Sequence, residues 1–581
     1  MITAAELEAG IRAGQSFEGV AVASIDLRGR DLSGARLARA RLVQVSLEGA
    51  NLTGADLTGA QLLECQLRGA NLERAQLTEA IFLATDLREA RLGGASLARA
   101  KMPAVDLGGA DLRGAELAHA LLARAHLAGV ALAGAKLAHV KLDGAHLAGL
   151  SLDDADLEGA SFAEANLEGA TLRRARLRGT ILASANLRGG NLEGATLDGA
   201  ILAKADLRGA VLPKSFHATV LAGAIFDTRD LSGSDFASAE LEGADLRGVD
   251  LRGADFTACT LRGVDLRGAD LRGAKLTRST LGACDLTGAD LRGASLASSS
   301  FAGAKLCRAR LGGNNLTMTI FSGADLSGAD LAGAHLERAL LDEVDLRGAD
   351  LARASFQQTI LRGARLDGAT LTKTTFDRCD FSAADLTRLP LAGLSLRSCI
   401  FLGANLLGMD LRGCDFTCSN FARADLRKAD LSGAILANAS FHEARLEVAD
   451  LSSTQAKSAF FGEASLQGAK LAQAMLRFAT FTKADVAHAN FAGADLRDAM
   501  LVEVRATGAL FLGARLQHSD LSHADLTDAD LSNADCHRAN LHGVHDRGAR
   551  WAGARTETAR RTDLDRLEAE GWMPPARPQE H

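Results

Sequence analysis

The sequence contains no tyrosine, only two tryptophans and only six prolines among 581 residues. Because exposed aromatic side chains are the platforms on which nucleic-acid bases stack, this scarcity makes nucleic-acid binding an unfavoured function. No run approaches the roughly 18 apolar residues that a membrane-spanning helix needs, so we expect no membrane insertion. The net charge of −7 is small for this length, which argues against both a general polyanion binder and a strongly acidic surface.

The first residues and the cysteines indicate the cellular compartment. Residues 1–6 show no basic start followed by an apolar core, so we expect no signal peptide. The nine cysteines are scattered and odd in number, which is typical of a reducing compartment rather than of a disulfide framework. We therefore expect a cytoplasmic protein.

A five-residue repeat fills most of the chain. In the segment ADLRGVDLRGADFTACTLRG, which begins at Ala244, a large apolar residue recurs at Leu246, Leu251, Phe256 and Leu261. We call this residue the centre of a pentad, and we call the place two residues before it, usually occupied by Ala, the small position. A period of five fits neither an α-helix nor a simple strand. Two inward residues in every five require a corner in each pentad, so four pentads close a square coil of 20 residues.

The repeated units ADLRG and ANLEG resemble the pentapeptide repeat family, whose pattern is A(D/N)LXX. The resemblance extends over nearly the whole chain. It implies an all-β fold, the right-handed quadrilateral β-helix, which here would be a solenoid of about 27 coils at the strand spacing of ~4.8 Å.

One interruption divides the repeat into two blocks. The centres lose one residue of spacing between Leu212 and Phe216, around Pro213. We therefore predict a first β-helix block over 15–212, a one-residue register slip or kink over 213–215, and a second block over 216–553. A separate irregularity, the stretch Ser452–Ala459 with its weak centre Ala456, is the best candidate for a local bulge.

Both ends of the solenoid need a cover, because an open coil is an exposed strand edge. We predict a capping helix within residues 1–14, where Thr3 and Glu6 have the spacing of a capping box. Residues 554–581 should form a second capping helix, beginning near Thr562, and a tail. Small members of the resembled family often dimerise at this end, so a monomer and an end-to-end dimer are both open.

Phenylalanine and cysteine occupy the predicted interior. Six phenylalanines are spaced by 20 residues and should form one stacked ladder: Phe381, Phe401, Phe421, Phe441, Phe461 and Phe481. Core stacking explains this ladder better than a hydrophobic ligand channel, for which a square coil has no room. Six cysteines lie in the small position, where we expect them to be buried: Cys65, Cys259, Cys284, Cys379, Cys399 and Cys414.

Two clusters near the C-terminus are candidates for a site. His518, His523, His537 and His542 form two pairs about one coil apart, with outward orientation, and are weak metal candidates. No carboxylate or cysteine completes this set in the sequence, so solvated surface histidine is the default and no cofactor is expected. The most acidic segment is predicted to be an interaction strip, formed by Asp520, Asp525, Asp528, Asp530 and Asp535.

The absence of catalytic motifs favours a non-enzymatic function. We predict a rigid scaffold or adaptor that binds a protein of unknown identity, and the resemblance to large family members suggests an accessory role in bacterial type VI secretion. The first alternative is a DNA mimic that binds a type II topoisomerase, as the resemblance to small, acidic family members implies. The second alternative is a metal-dependent enzyme that uses the histidine cluster.

Overall fold

The computed structural model describes residues 3–571, which fall into two compact units, one that ends at Ser295 and one that begins at Leu296. In both units the chain pairs with itself, in parallel, every 20 residues. Asp31 pairs with Asn51 in the first unit, and Asp325 pairs with Asp345 in the second. The predicted 20-residue coil is thus confirmed, and nearly every pentad contributes one paired residue, the one before its centre, followed by a turn.

Longer strands form where the pairing extends over two or three consecutive residues. Two four-stranded parallel sheets result, one in each unit, with neighbours in chain order. The strands and helices are α1 (Ala4–Arg12), β1 (Ala21–Ala23), β2 (Arg41–Val43), β3 (Gln61–Leu63), β4 (Ile81–Leu83), β5 (His335–Glu337), β6 (Ser355–Gln357), β7 (Thr375–Asp377), β8 (Leu396–Arg397) and α2 (Leu564–Gly571).

The core is a column of centres and small residues stacked from coil to coil. Leu57 and Ala60 are completely buried, whereas the residues on either side of them reach solvent. Burial of each leucine stabilises the fold by ~1.5–3 kcal/mol. The residue two after the centre turns the corner in the left-handed region: Gly29 has φ 64°, and Arg39 adopts φ 56° at the same place in its own pentad. Glycine is favoured there, but a side chain is tolerated because it points into solvent.

The coil shortens by one residue around Pro213. Ile201 pairs with Val220, a separation of 19 residues rather than 20. Pro213 is buried. Lys214, two residues before the centre Phe216 and therefore in the small position of that pentad, is exposed. Phe226, which the repeat predicts to be inward, is only half-buried in this irregular segment. The missing residue is therefore absorbed by a local change in which side chains face the core.

The predicted bulge at Ser452–Ala459 is wrong. Gln455 pairs with Ile435 on one side and with Met475 on the other, so the 20-residue register continues through the segment. Ala456 is fully buried in the centre position. The pairing uses backbone groups alone, and a small centre therefore leaves the register unchanged.

Helix α1 covers the first coil. Its N-cap is a capping box, in which the Thr3 hydroxyl accepts the Glu6 N–H and the Glu6 carboxylate accepts the Thr3 N–H. Leu7 is buried and lies against the interior leucines of the first coils, beginning with Leu27. The helix thus places an apolar side chain on the open end of the core.

Helix α2 follows the last coils of the second unit in the sequence. The sequence predicted a helix from Thr562 to Glu568, and the helix observed is Leu564–Gly571; the remainder of the predicted tail lies outside the described residues. The buried apolar core stops at Leu541, because the centre position five residues later holds an exposed aspartate, Asp546. Neither described helix has the length and apolar character required to cross a membrane.

Candidate functional site

Within the described residues, the backbone ladder of the first unit is open between two neighbouring coils over two consecutive pentads, which occupy adjacent sides of the coil. On the flanking coils, the Leu112 N–H donates to Ala131 O (2.8 Å) and the Leu152 N–H donates to Thr171 O (2.7 Å). Within residues 3–571, the equivalent N–H groups of Leu132 and Leu137 have no such partner. We call this gap, bordered by residues 130–137 and 151–156, the open seam.

The open seam coincides with oversized residues in the small position. Val130 and Leu150 occupy this position on successive coils, where Ala110 and Ala170 hold it on the coils beyond. All four side chains are buried, with Val130 and Leu150 slightly less so. An interior built for alanine gains volume at two adjacent levels, and overpacking of this kind displaces backbone.

The open seam encloses a cavity of about 630 Å³. Its lining comprises Val130–Ala135 on one edge and Ser151–Asp156 on the other. This volume lies within the range of ligand pockets, ~300–1,000 Å³. Two aspartates beside the cavity already form ion pairs with arginines of the next coil. Asp153 lies 2.7 Å from Arg173, and Asp154 lies 2.7 Å from Arg174. The Arg174 guanidinium lowers the pKa of Asp154. The recognition groups of the cavity are therefore chiefly backbone amides and carbonyls.

The C-terminal histidines form a second candidate site. The Nε2 atoms of His523 and His542 each lie 3.1 Å from Oε2 of Glu570, which belongs to helix α2. The two imidazole rings are T-shaped, with centroids 5.3 Å apart. We call these three residues the α2 clasp, because they join the helix to two successive coils.

Two expectations for this region were wrong. His542 was predicted to face outward, but it is buried beneath α2. A carboxylate was predicted to be absent, but Glu570 completes the cluster. Sequence spacing could not find Glu570, because α2 leaves the repeat and its position relative to the coils follows no 20-residue rule.

Glu570 forms hydrogen bonds with two side chains, those of His542 and Arg566. Arg566 Nε donates to Oε1 at 2.6 Å, and this bond lowers the pKa of Glu570, with a smaller contribution from His542. The Asp563 N–H donates to Nδ1 of His542 at 3.2 Å. Since Nδ1 is an acceptor, the proton of a neutral His542 resides on Nε2 and points at Glu570.

The other predicted histidine pair stays apart from the clasp. His518 and His537 are T-shaped with ring centroids 6.1 Å apart. Nδ1 of His537 contacts the Thr558 hydroxyl at 2.8 Å, and no metal-ligating carboxylate of the described residues joins the pair. The structure therefore divides the four predicted candidates into a pair with a carboxylate and a pair without one.

The outward faces carry alternating charge. Arg247 contacts Asp245 of its own pentad at 2.6 Å and Asp265 of the next coil at 3.7 Å. Arg267 repeats the arrangement with Asp265 at 2.6 Å, and its hydrogen bond lowers the pKa of that carboxyl. Each aspartate column is thus accompanied by an arginine column, which offsets repulsion between stacked carboxylates.

The predicted acidic strip is not brought together on one face. Asp520, Asp525, Asp530 and Asp535 each pair with a different residue twenty positions later, so each occupies a different side of the same coil. The last two face Arg550 and Arg555 across the ladder, at 3.9 and 3.5 Å; Asp528 occupies a corner, in the left-handed region. The five carboxylates therefore surround the coil instead of forming one acidic surface.

Sequence reasoning missed an exposed apolar patch in the second unit. Phe460 and Met500 both pair with Thr480, from the coils on either side of it. In the coil of Thr480, Met475 precedes the corner and Phe478 occupies it in the left-handed region. The side chains of Phe460, Met475, Phe478 and Met500 are all exposed. The Arg477 guanidinium lies 4.7 Å from the centre of the Phe478 ring. The sequence did carry a signal for this patch, because Phe460 and Phe478 both lie outside the centre positions of their pentads.

The predicted interior residues lie in the core. Successive rings of the phenylalanine ladder stack almost in parallel with centroids 4.6–5.3 Å apart. The six cysteines in the small position are buried free thiols, whereas Cys418 is exposed. Burial raises the pKa of Cys284 to about 12, so this thiol is inert at neutral pH.

A family model described as pentapeptide repeats, in eight copies, matches most of the chain. The matched segments together cover residues 31–212, 215–313, 319–388, 391–455 and 459–545. The first gap in this coverage falls at Pro213, where the coil shortens.

Several solved structures are similar to parts of the chain. HetL, a pentapeptide repeat protein involved in heterocyst differentiation regulation from the cyanobacterium Nostoc, is 27% identical; the match covers 52% of this chain and 97% of HetL, with a TM-score of 0.17. Full-length QnrB1, a plasmid-mediated fluoroquinolone resistance protein, is 19% identical over 36% of this chain and 94% of its own, with a TM-score of 0.15. A pentapeptide repeat protein from the Arabidopsis thaliana thylakoid lumen is 29% identical over 20% and 68%, with a TM-score of 0.09. No curated protein matches the chain.

Proposed function

The chain belongs to the pentapeptide repeat family, and from that premise we propose that it is a non-enzymatic scaffold that binds another protein. The open seam carries this proposal. Its two edges offer unpaired backbone groups on facing coils, whereas the ladders of the flanking coils are closed. An unpaired strand edge is the feature that extended peptides recognise when they add a strand to a sheet.

The ligand of the open seam is an extended segment of the partner protein. At ~3.3 Å of rise per residue, ~4.8 Å between strands and ~10 Å of depth, the cavity of about 630 Å³ accommodates about four residues. The N–H groups of Leu132 and Leu137 would donate to its carbonyls on one side. Apolar atoms of Val130 and Leu132 line the cavity, so a small or apolar inward side chain suits it best.

The alternatives rank below a scaffold. A DNA mimic needs a continuous anionic face, and here Arg247 and its equivalents accompany the aspartate columns. An accessory role in type VI secretion stays a prediction that would name the partner without changing the proposed chemistry. A metal-dependent enzyme that uses the histidine cluster ranks last, and at the open seam itself Asp153 and Asp154 are engaged by arginines.

A peptide-binding experiment tests the proposal on the full chain. The probe is a fluorescent peptide with the chain's own repeat sequence, DLRGADLRGA (residues 265–274), whose pattern suits the coil interior. The matched control is the same peptide with methylated backbone nitrogens, which keeps every side chain but removes the donors of an added strand. We expect saturable anisotropy with the first peptide and at least a roughly tenfold weaker interaction with the second, equivalent to ~1.4 kcal/mol.

A variant separates the open seam from other surfaces. The double change Val130→Ala and Leu150→Ala should close the ladder and abolish peptide binding. Loss of binding in this variant, with unchanged circular dichroism, supports the proposal. Equal binding of both peptides, binding that persists in the double variant, or no binding by the natural chain would contradict it.

A further inference from the structure

We infer that the α2 clasp, His523, His542 and Glu570, is a binding site for one divalent transition-metal ion, with zinc as the best chemical match. This site is independent of the open seam, which lies in the other unit. Two imidazoles and one carboxylate are a ligand set that zinc uses in proteins, with a fourth position left for water.

The spacing of the donor atoms suits a tetrahedral ion. Two donors that each lie ~2.0–2.1 Å from one tetrahedral ion are about 3.3 Å apart. In the α2 clasp both Nε2 atoms lie 3.1 Å from the same carboxylate oxygen of Glu570. All three donor atoms lie within 4.8 Å of one another. An ion can therefore enter with small side-chain movements.

The surroundings hold all three ligands in place. His542 is buried, and the His523 ring lies over Gly543, where an added Cβ would come within 2.5 Å of Nδ1. Gly543 also has a φ of 64°, which favours glycine for a second reason. Arg566 fixes the other oxygen of the carboxylate at 2.6 Å. The ligands come from two coils and one helix, so a bound ion would fasten α2 to the solenoid.

Metal binding must rearrange one hydrogen bond. The Nε2 proton of neutral His542 occupies the direction of the metal, and a bound cation displaces it. Metal-bound imidazoles keep a proton on the other nitrogen, so Nδ1 becomes a donor and its bond from the Asp563 N–H breaks. The amide of Asp563 should therefore exchange faster with solvent once zinc is bound, while the amides of α2 exchange more slowly.

The chain supplies its own control for the test. His518 and His537 form a neighbouring histidine pair that no carboxylate among residues 3–571 completes as a metal-ligand cluster. We would dialyse the full chain and its variants against ZnCl2, wash by buffer exchange, and count zinc by mass spectrometry. The site variants are Glu570→Gln, which keeps the shape of the side chain, and His523→Ala; the control variant carries His518→Ala and His537→Ala together.

The expected result is one retained zinc in the natural chain and in the control variant. Each site variant should lose it, with affinity lower by at least roughly tenfold, since even second-shell changes cost 10–100-fold. Replacement by Co²⁺ should give the visible absorption of a tetrahedral complex. Hydrogen exchange of α2 gives a second readout that does not depend on counting metal.

Three results would overturn the inference. The natural chain could retain no zinc, and the α2 clasp would then be held by hydrogen bonds and ion pairs alone. Zinc could persist in both site variants, which would place it elsewhere, for example at the stacked pair His119 and His139. Finally, zinc could bind without slowing the exchange of α2, which would exclude Glu570 as a ligand.

Discussion

Val130 and Leu150 lie one coil apart in the small position, and the backbone ladder beside them is open. The same coincidence recurs in the second unit, where Leu389 and Met409 occupy the small position on successive coils. There, within the described residues, Pro390 pairs with neither neighbouring coil. Proline lacks a donor N–H, which contributes to that second interruption, whereas no proline lines the open seam.

The double change Val130→Ala and Leu150→Ala should close the open seam. Most large-to-small core changes cost ~2–5 kcal/mol, but here relief of overpacking, worth ~1–3 kcal/mol, and the regained hydrogen bonds act in the opposite direction. We expect the amides of Leu132 and Leu137 to become protected from hydrogen exchange, with thermal stability unchanged or higher.

The matched control for that experiment is Leu152→Ala, which removes a centre. It should lower stability by ~2–5 kcal/mol and leave the exchange of Leu132 fast. A double variant that is destabilised like this control, without gaining protection, would refute the explanation by overpacking.

Phe460 and Phe461 are adjacent in sequence and opposite in environment. Phe461 is fully buried between Phe441 and Phe481, with centroids 4.9 and 4.7 Å away, whereas Phe460 is exposed. Phe461→Ala should destabilise by ~3–5 kcal/mol, and Phe460→Ala should change the free energy of unfolding by no more than ~0.5 kcal/mol. Urea unfolding of the two variants measures this difference. Similar losses would show that the register of this coil is wrong.

The regular part of the fold could be predicted from the sequence because every pentad repeats one physical requirement. A centre such as Leu246 must be buried, and its small partner Ala244 leaves room for it. Repetition makes each position predictable from its neighbours twenty residues away. For this reason the coil length and the phenylalanine ladder followed from spacing alone.

The candidate sites could not be predicted from the sequence in the same way. The open seam lies beside the large side chains of Val130 and Leu150, and their small-position spacing gives no warning that two consecutive pentads will lose their pairing. The α2 clasp depends on where a segment outside the repeat comes to rest, which placed Glu570 beside His542. The acidic strip failed because consecutive pentads occupy different sides of the coil.

Acid should weaken the solenoid in a defined range of pH. The Arg412 hydrogen bond lowers the pKa of Asp410 to about 2, from an ordinary value of 3.8. A carboxyl whose pKa is lower in the folded state stabilises that state above pH ~4, and this contribution disappears as the pH falls towards 2. We expect the melting temperature to be nearly constant from pH 7 to 5 and to fall between pH 4 and 2.

A single substitution isolates this contribution. Arg412→Gln removes the guanidinium and should return the pKa of Asp410 towards 3.8, measured by NMR titration of the chain labelled at aspartate carboxyls. Because the pair is exposed, added salt should reduce the difference between the variant and the natural chain. An Asp410 pKa that stays near 2 in the variant would assign the effect to the backbone N–H of residue 412 instead.

Thiol accessibility should distinguish inward from outward cysteines. Cys418 is exposed, Cys307 is partly exposed, and the other seven are buried free thiols. Burial raises the pKa of Cys414 to about 11 and that of Cys536 to about 12, so these side chains lack both access and thiolate character. In the folded chain we expect rapid alkylation of Cys418, slow alkylation of Cys307 and reaction of the remainder only after unfolding. Cys418→Ser should abolish the rapid phase, and a rapid phase that survives this change would mean that a coil with an inward cysteine opens readily in the native state.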